Sequence, residues 1–322
     1  LCARYSRAVV MEAGAALQDY AERKMRAGIA TIPDGTYRFA DRYDCPEIDG
    51  ELDMSVEITV TGDTMHLHFD APPQVRAGLN MTMTALLSTV YYAVKTVVDP
   101  TILPNAGLAR PLSVTAPLGT IVNCQHPAAV NGRLGPCQRV VDLIHGALAP
   151  AVPDRVTAAS NGACFSITFV GHQPSDNRIW VYLETIGGGF GARQHRDGLD
   201  GVHVHMTNTS NLPVEALEVE YPLTLMRYEL VDGSGGAGRQ RGGMGLRRVY
   251  RADHPCRVRI DGARLLSRPW GLDGGFPGGQ ADIRLHGGAV RQHGIAYCVL
   301  GGAKRAAIRA REDDGPFARR VG

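Results

Sequence analysis

The sequence predicts an α+β fold, with helices and a β-hairpin first and a β-rich second half. Three observations carry this. Apolar residues recur at helical spacing near the start and fill a long run ending at Val98. Between these stretches, two segments alternate apolar and polar residues strictly, which is the period of half-buried strands. From Arg155 onward the texture changes to short β-prone segments separated by Gly, Pro, Asn and Asp turns. Helices first and strands later fit helices set beside a sheet.

The elements follow in order. Val9, Ala13, Ala16, Leu17 and Tyr20 recur with charges between them and predict an amphipathic helix from about Ser6 to Arg26. Pro33-Asp34-Gly35 supplies a turn, because proline presets one dihedral and glycine tolerates the reverse one. Leu52, Met54, Val56, Ile58 and Val60 alternate, and Met65, Leu67 and Phe69 alternate again after the three-residue loop Thr61-Gly62-Asp63. This reads as a β-hairpin. Met81–Val98 is apolar and free of Gly and Pro, a buried helix too short, and too interrupted by Lys95, to span a bilayer. Pro100, Pro104, Pro111 and Pro117 break the chain into extended loops, and Arg139–Leu148 reads as another helix. Strands are expected near Thr157–Val170, Arg178–Ile186, Val202–Met206, Arg227–Leu230, Leu246–Arg251, Arg257–Ile260 and Asp282–Leu285. The helical and hairpin part covers about 1–150, the β-rich part 151–302, and a charged tail 303–322.

Composition bounds the function classes. A chain of 322 residues can bury a substantial core. The formal net charge is +2, so no global basic field points to nucleic acid. No run of eighteen apolar residues predicts a membrane span, and no signal-peptide pattern opens the chain. The seven cysteines are scattered and never spaced as C-x-x-C, which fits reduced thiols in a cytoplasmic protein.

The chemistry-bearing residues crowd between Glu184 and Gly245. Glycines, amides, carboxylates and imidazoles fall there into short turns, which suits a backbone-lined polar pocket better than a packed core. Gly187-Gly188-Gly189-Phe190-Gly191 follows a strand pattern, but a dinucleotide site needs a helix to open next, and Arg193-Gln-His-Arg-Asp-Gly198 has no apolar periodicity. Walker A is absent, so no nucleotide site of the chain's own is expected. His66/His68 and His203/His205 each lie two apart, on one face of an expected strand. For His66/His68 a solvated face is the better reading, since the opposite face is apolar. For His203/His205 a shared metal and a polar face stay open, with Thr207, Asn208 and Glu215 near in sequence to orient a ligand. Asn131-Gly132-Arg133 offers an amide and a guanidinium for a carbonyl or carboxylate, or is an Asn-Gly turn with a surface arginine. Glu184 ends an apolar strand, where a carboxylate is costly unless paired or working, and Arg193 or Arg133 is its expected partner. Cys137 has no partner motif that marks a nucleophile. The run Ser234-Gly-Gly-Ala-Gly-Arg-Gln-Arg-Gly-Gly243 lacks the interleaved aromatics of an RNA-binding segment.

The order of these pieces, with Pro33-Asp-Gly-Thr-Tyr37, Pro127-Ala-Ala-Val-Asn-Gly-Arg133 and Pro269-Trp-Gly-Leu-Asp-Gly-Gly275, resembles the hydantoinase B family from about Tyr5 to Gly279. That family comprises B subunits of ATP-dependent hydantoinases, with relatives in 5-oxoprolinases, lactamases and the acetone and acetophenone carboxylases. The resemblance implies that the chain is the C-terminal part of such a subunit, the family's metal motif lying in an N-terminal part with no counterpart here. The tail from Ala303 departs from the family's glycine-rich and acidic ending.

The resemblance implies ATP-dependent hydrolysis of a cyclic amide: a hydantoin, 5-oxoproline or another lactam. An A-type subunit is the implied partner. It would bind ATP and phosphorylate the amide oxygen, and the B-type subunit would complete hydrolysis with a metal-bound water. This chain alone is expected to hold no ATP and no tight metal, because both belong to the A-type subunit and the missing N-terminal part. One polar cleft is expected to gather Glu184 and His205 as catalytic groups with Asn131, Arg133 and Asn208 as substrate-binding groups. The alternative is an inactive assembly scaffold for the A-type subunit. No nucleic acid or membrane partner is expected.

Overall fold

The computed structural model describes residues 1–286 and the backbone of strand 295–300; the expected tail, 303–322, lies outside them. A single helical turn, α1 (Cys2–Tyr5), leads into α2 (Arg7–Ile29), which Ser6 caps by accepting from Val9 N. The helix expected from Ser6 is present, but its apolar stripe is not its buried face. Ala21, Met25 and Ile29 are buried, while Val9, Leu17 and Tyr20 are exposed. The physical reason is the docking point. Tertiary hydrogen bonds to α2 begin at Leu17, whose carbonyl accepts from Asn105 Nδ2, and continue where Arg110 grips Asp19 and Glu22.

The hairpin expectation holds, with a shorter loop. Strand β1 (Gly35–Tyr43) pairs antiparallel with β2 (Leu52–Thr61), and β2 pairs with β3 (Thr64–Asp70). Thr61 faces Thr64, so the turn is two residues, with Gly62 at φ 59° as a tight hairpin requires. Met54, Val56, Ile58, Val60, Met65, Leu67 and Phe69 form one buried face. Each large apolar side chain buried this way contributes about 1.5–3 kcal/mol. Helix α3 (Met83–Val98) starts behind Thr82, whose hydroxyl accepts from Ala85 N. Strand β4 (Leu112–Thr115) then adds parallel to β3.

Helix α4 (Leu134–Leu148) begins five residues earlier than Arg139 and is buried from Gly135 onward. Two glycines let it lie against β1: a Cβ on Gly135 would meet the Tyr43 hydroxyl and one on Gly146 the Phe39 ring. Buried α4 also carries Gln138, Arg139, Asp142 and His145, so it brings charge into the core.

The second half is strand-rich as expected. Strand β5 (Phe165–His172) lies between β6 (Ile179–Ile186) and a later strand. Helix α5 (Val214–Glu220) precedes β7 (Leu223–Leu230), β8 (Leu246–Ala252), β9 (Cys256–Asp261), β10 (Ala281–His286) and β11 (Ile295–Leu300). The sheet orders are β6-β5-β9 and β10-β11-β8-β7. The strand expected at Val202–Met206 is instead a loop. Only Val202 makes a bridge there, to Gly188, and His205 takes φ 46°, which ends any extended run. His203 and His205 therefore do not share a strand face. His66 and His68 do lie exposed on β3, beside Ser113 and Thr115. No helix of the described residues is long and apolar enough to cross a membrane.

Gly107 packs directly on the backbone of Gln18 and anchors α2. Gly107→Ala is expected to lower the unfolding free energy by about 1–3 kcal/mol in urea titrations. Gly14→Ala meets open space and should not lower it.

Candidate functional site

A cavity of about 480 Å³ opens among the glycine-rich loops of the second half, lined by Asn161, Phe190, Arg193, Gln194, Arg239, Gln240, Arg264 and Trp270 among others. The glycines are there because backbone lies on backbone. A Cβ on Gly189 would overlap the Gly243 carbonyl, one on Gly191 the Ala158 carbonyl, and one on Gly236 the Phe276 carbonyl. The loops are laced together by Gly243 N to Phe190 O at 2.9 Å, Ala158 N to Ala192 O at 2.9 Å and Phe276 N to Ala237 O at 2.8 Å. Arg241 holds the 234–243 turn in place with a two-pronged grip on Asp200, 2.7 and 2.8 Å, which gives that turn a structural role. The glycine run after β6 leads into these turns, not into a helix.

Arg264 sits at the base of the cavity, 2% exposed and with φ 64°. Its Nη2 donates to Asp142 Oδ2 at 3.1 Å, and its Nη1 donates to Asp41 Oδ2 at 3.3 Å and to Arg268 O at 3.1 Å. Trp270 Nε1 also donates to Asp41, at 3.2 Å. Asp44 accepts from Leu265 N, Leu266 N and the Ser267 hydroxyl, fixing the loop that carries Arg264. Burial and the nearby Arg139 lower the Arg264 pKa to about 10, and Asp41, Asp142 and Asp44 oppose them, so it keeps its charge at neutral pH. Arg139 is fully buried, pairs with Asp41 at 3.2 Å and lies over the Tyr43 ring.

Asp142, on α4, joins this layer to the candidate histidine. His205 Nε2 donates to Asp142 Oδ1 at 2.9 Å, and the Ser160 hydroxyl donates to the same oxygen at 3.1 Å. Burial raises the Asp142 pKa, but the His205 hydrogen bond and the charges of His205, Arg264 and Arg139 outweigh it and hold the carboxyl below its usual range. Phe190, a cavity-lining ring, packs edge-on against His205 at 5.1 Å. His145 lies behind, its Nδ1 3.1 Å from Thr157 Oγ1, and burial pushes its pKa down to about 3.

The five expected residues divide into two groups, and none lines the cavity. Glu184 and His205 have side chains only 3% and 1% exposed. Glu184 pairs with Arg248 at 2.7 Å and accepts from the Tyr250 hydroxyl; neither Arg193 nor Arg133 is its partner, because Arg248 and Tyr250, on β8 of the other sheet, reach it across the core. Burial, then the Glu184 charge, push the Tyr250 phenol well above its usual range. Burial lowers the His203 pKa, and the Glu184 charge opposes that shift. Asn131, Arg133 and Asn208 are exposed. Arg133 Nη1 donates to Val130 O at 3.1 Å, and Gly78 leaves room for the Asn131 side chain. The Asn208 loop is tied to α4 through Gln138, which receives Met206 N and donates to Thr207. Cys137 is buried in α4 and burial raises its thiol pKa, so it is no ready nucleophile.

Sequence reasoning missed Asp41, Arg139, Asp142 and Arg264. One signal was available: Arg139, Asp142 and His145 recur every third residue inside an otherwise apolar helix. Among the described residues, no group of three or more His, Cys, Asp or Glu side chains is placed to hold a metal ion. The donors here thus do not fit the metal that the family implies, since His205 and Asp142 satisfy each other.

Glu184→Gln leaves the Arg248 charge buried without its counter-charge and is expected to cost about 3–5 kcal/mol in denaturant unfolding, recovered in part by adding Arg248→Met. His145 predicts a pH effect. Its folded pKa is below the unfolded 6.5, so its contribution is complete above that pH and is lost as pH falls toward 3. Over that window stability should drop by up to about 1.4 kcal/mol per pH unit for this one proton. His145→Gln should flatten the slope in pH-dependent unfolding.

Comparison with known proteins then identifies the lineage. The Hydantoinase B/oxoprolinase family description matches residues 1–313. The chain is 38% identical over 281 residues to an uncharacterised protein of Methanocaldococcus jannaschii, covering 86% of this chain and 48% of that one. It is 35% identical over 239 residues to the caprolactamase subunit beta of Pseudomonas jessenii, covering 72% and 41%. The crystal structure of the ATP-dependent caprolactamase from the same organism superposes with a TM-score of 0.72 at 26% identity, covering 94% of this chain and 56% of that one. The chain spans about half the length of the curated relatives it matches. A cavity walled by glycine loops, the motif order and these matches agree: the chain belongs to the hydantoinase B/oxoprolinase family.

Proposed function

We propose that this chain is the cavity-bearing part of a B-type subunit that hydrolyses a cyclic amide after ATP-dependent activation by an A-type partner. The observation that supports this best is the cavity with Arg264 at its base. At about 480 Å³ it suits a small ring. Its apolar lining residues, among them Ala158, Ala163 and Phe165, suit methylenes, and Arg193, Arg239 and Arg264 suit an anionic group.

The chemistry follows from the weakness of an amide oxygen as a leaving group. An A-type subunit would transfer the γ-phosphoryl of ATP to the lactam oxygen, giving an O-phosphorylated imidate. Water then adds to the imidate carbon, the ring C–N bond opens as the nitrogen takes a proton and leaves an acyl phosphate, and a second water displaces phosphate, which departs with the former lactam oxygen, to give the carboxylate. This chain's residues would hold the ring and balance phosphate charge. His205 would act as a positioning residue through Asp142 and Arg264, whereas Glu184 and its partner Arg248 lie off the cavity and would hold the packing of the two sheets. Asn131, Arg133 and Asn208 stand outside this cavity, so a substrate-binding role for them would require a second contact near the start of α4. A scaffold role without turnover is the second reading, and the burial of both Glu184 and His205 favours it.

The test uses the complete assembly with the A-type subunit, scored by ATP-dependent ring opening of caprolactam, hydantoin and 5-oxoproline. Arg193→Ala with Arg239→Ala is expected to raise KM about tenfold or more, the cost of a lost charged hydrogen bond, with ATP binding unchanged. Unaltered kinetics would remove the cavity from the reaction. An assembly that binds the A-type subunit yet opens no ring would leave the scaffold.

A further inference from the structure

The first half of α2 is built like an interior helix and stands outside the body. From Ala8 to Leu17 the sequence is Ala-Val-Val-Met-Glu-Ala-Gly-Ala-Ala-Leu, with Glu12 its one charge. A helix apolar on all sides is normally enclosed on all sides. Here Val9, Met11 and Leu17 are 49%, 65% and 51% exposed, and Tyr5 and Tyr20 extend the same surface at 45% and 46%. Locally only the Ser6 cap supports it. The segment before Leu17 spans about three turns, and helices shorter than about 12–15 residues are marginal in water without tertiary support. Support begins where Gly107 packs on Gln18 and Asn105 holds the Leu17 carbonyl.

We propose that this protruding segment, Tyr5–Tyr20, is the docking surface for the portion of a hydantoinase B-type subunit that this chain does not cover. Chain length points to that occupant. The relatives are about twice as long as their match to this chain, so about half of such a subunit aligns with none of it and is the occupant this surface would meet. The match reaches the start of the chain, so the helix belongs to the shared architecture and is not an appendage. The segment's composition fits a permanent contact inside one subunit. Between Ala8 and Leu17 Glu12 is its one charged side chain, whereas surfaces that come and go carry a polar rim.

Amide hydrogen exchange on the whole chain tests this. The probe is the uncovered portion of the Methanocaldococcus jannaschii relative, made as a separate polypeptide. The chain alone should show fast exchange over residues 8–16. Adding the probe should slow those amides at least about a hundredfold and give a one-to-one complex by light scattering. Val9→Glu with Met11→Glu should abolish both effects, while Leu118→Glu, at an exposed leucine elsewhere, should change neither. Binding that survives the double variant, protection confined to other residues, or no binding overturns the proposal. Concentration-dependent protection of 8–16 without the probe would assign the face to a second copy and also overturn it. The readout is association, so it stands whether or not a ring is opened.

Discussion

Asp142 is the carboxylate on which the rest of the site's geometry hangs. It projects from the buried helix α4 and gathers His205, Ser160 and Arg264, side chains from three loops far apart in sequence. A single buried carboxylate can do this because it accepts several hydrogen bonds, and because each donor arrives with charge or dipole that offsets its desolvation. The helix itself is held against β1 by glycine contacts, so Asp142 has a rigid mount. Arg264 in turn lines the cavity and donates to Asp41, which Trp270 holds from its indole N–H. The cavity, the histidine loop and the first sheet therefore share one electrostatic joint.

The two halves of the chain contribute unequal kinds of stability. The first buries an alternating apolar face under helices. The second has many glycines and depends on backbone hydrogen bonds between stacked loops. One group of buried charges, Arg139, Asp142 and Arg264, lies where the halves meet, and a second, Glu184 with Arg248, lies within the second half. Such a joint is poor ballast but a good registrar, since a misplaced partner leaves an ion without its counter-charge in the interior.

Periodicity made the hairpin, helix α3 and most later strands legible, because each is a local pattern. It placed α2 well and its buried face wrongly, since the face depends on where the 3-10 turn Ala106–Ala109 docks. The loop at Val202–Met206 was illegible for a related reason. Its shape is set by Gln138 and Asp142 from α4, more than sixty residues away in sequence. The glycine turns did announce a backbone-lined pocket. Which charges serve it was hidden, because Arg264 follows no motif and its partners Asp41 and Asp142 come from the other half. Glu184 was recognisable as a carboxylate that needs a partner, but the partner comes from a strand of the other sheet, which local pattern does not reveal.

The loop stacking around the cavity carries a consequence for how such a protein can diversify. Where Gly189 meets Gly243 and Gly236 meets Phe276, the wall has no side chains to exchange. Its contour is therefore invariant under almost any tolerated substitution. Variation is left to the few side chains at the rim, among them Gln194, Arg239, Gln240 and Phe276. Lineages that share this frame would differ in ligand choice by a handful of replaceable teeth set in an unchanging jaw.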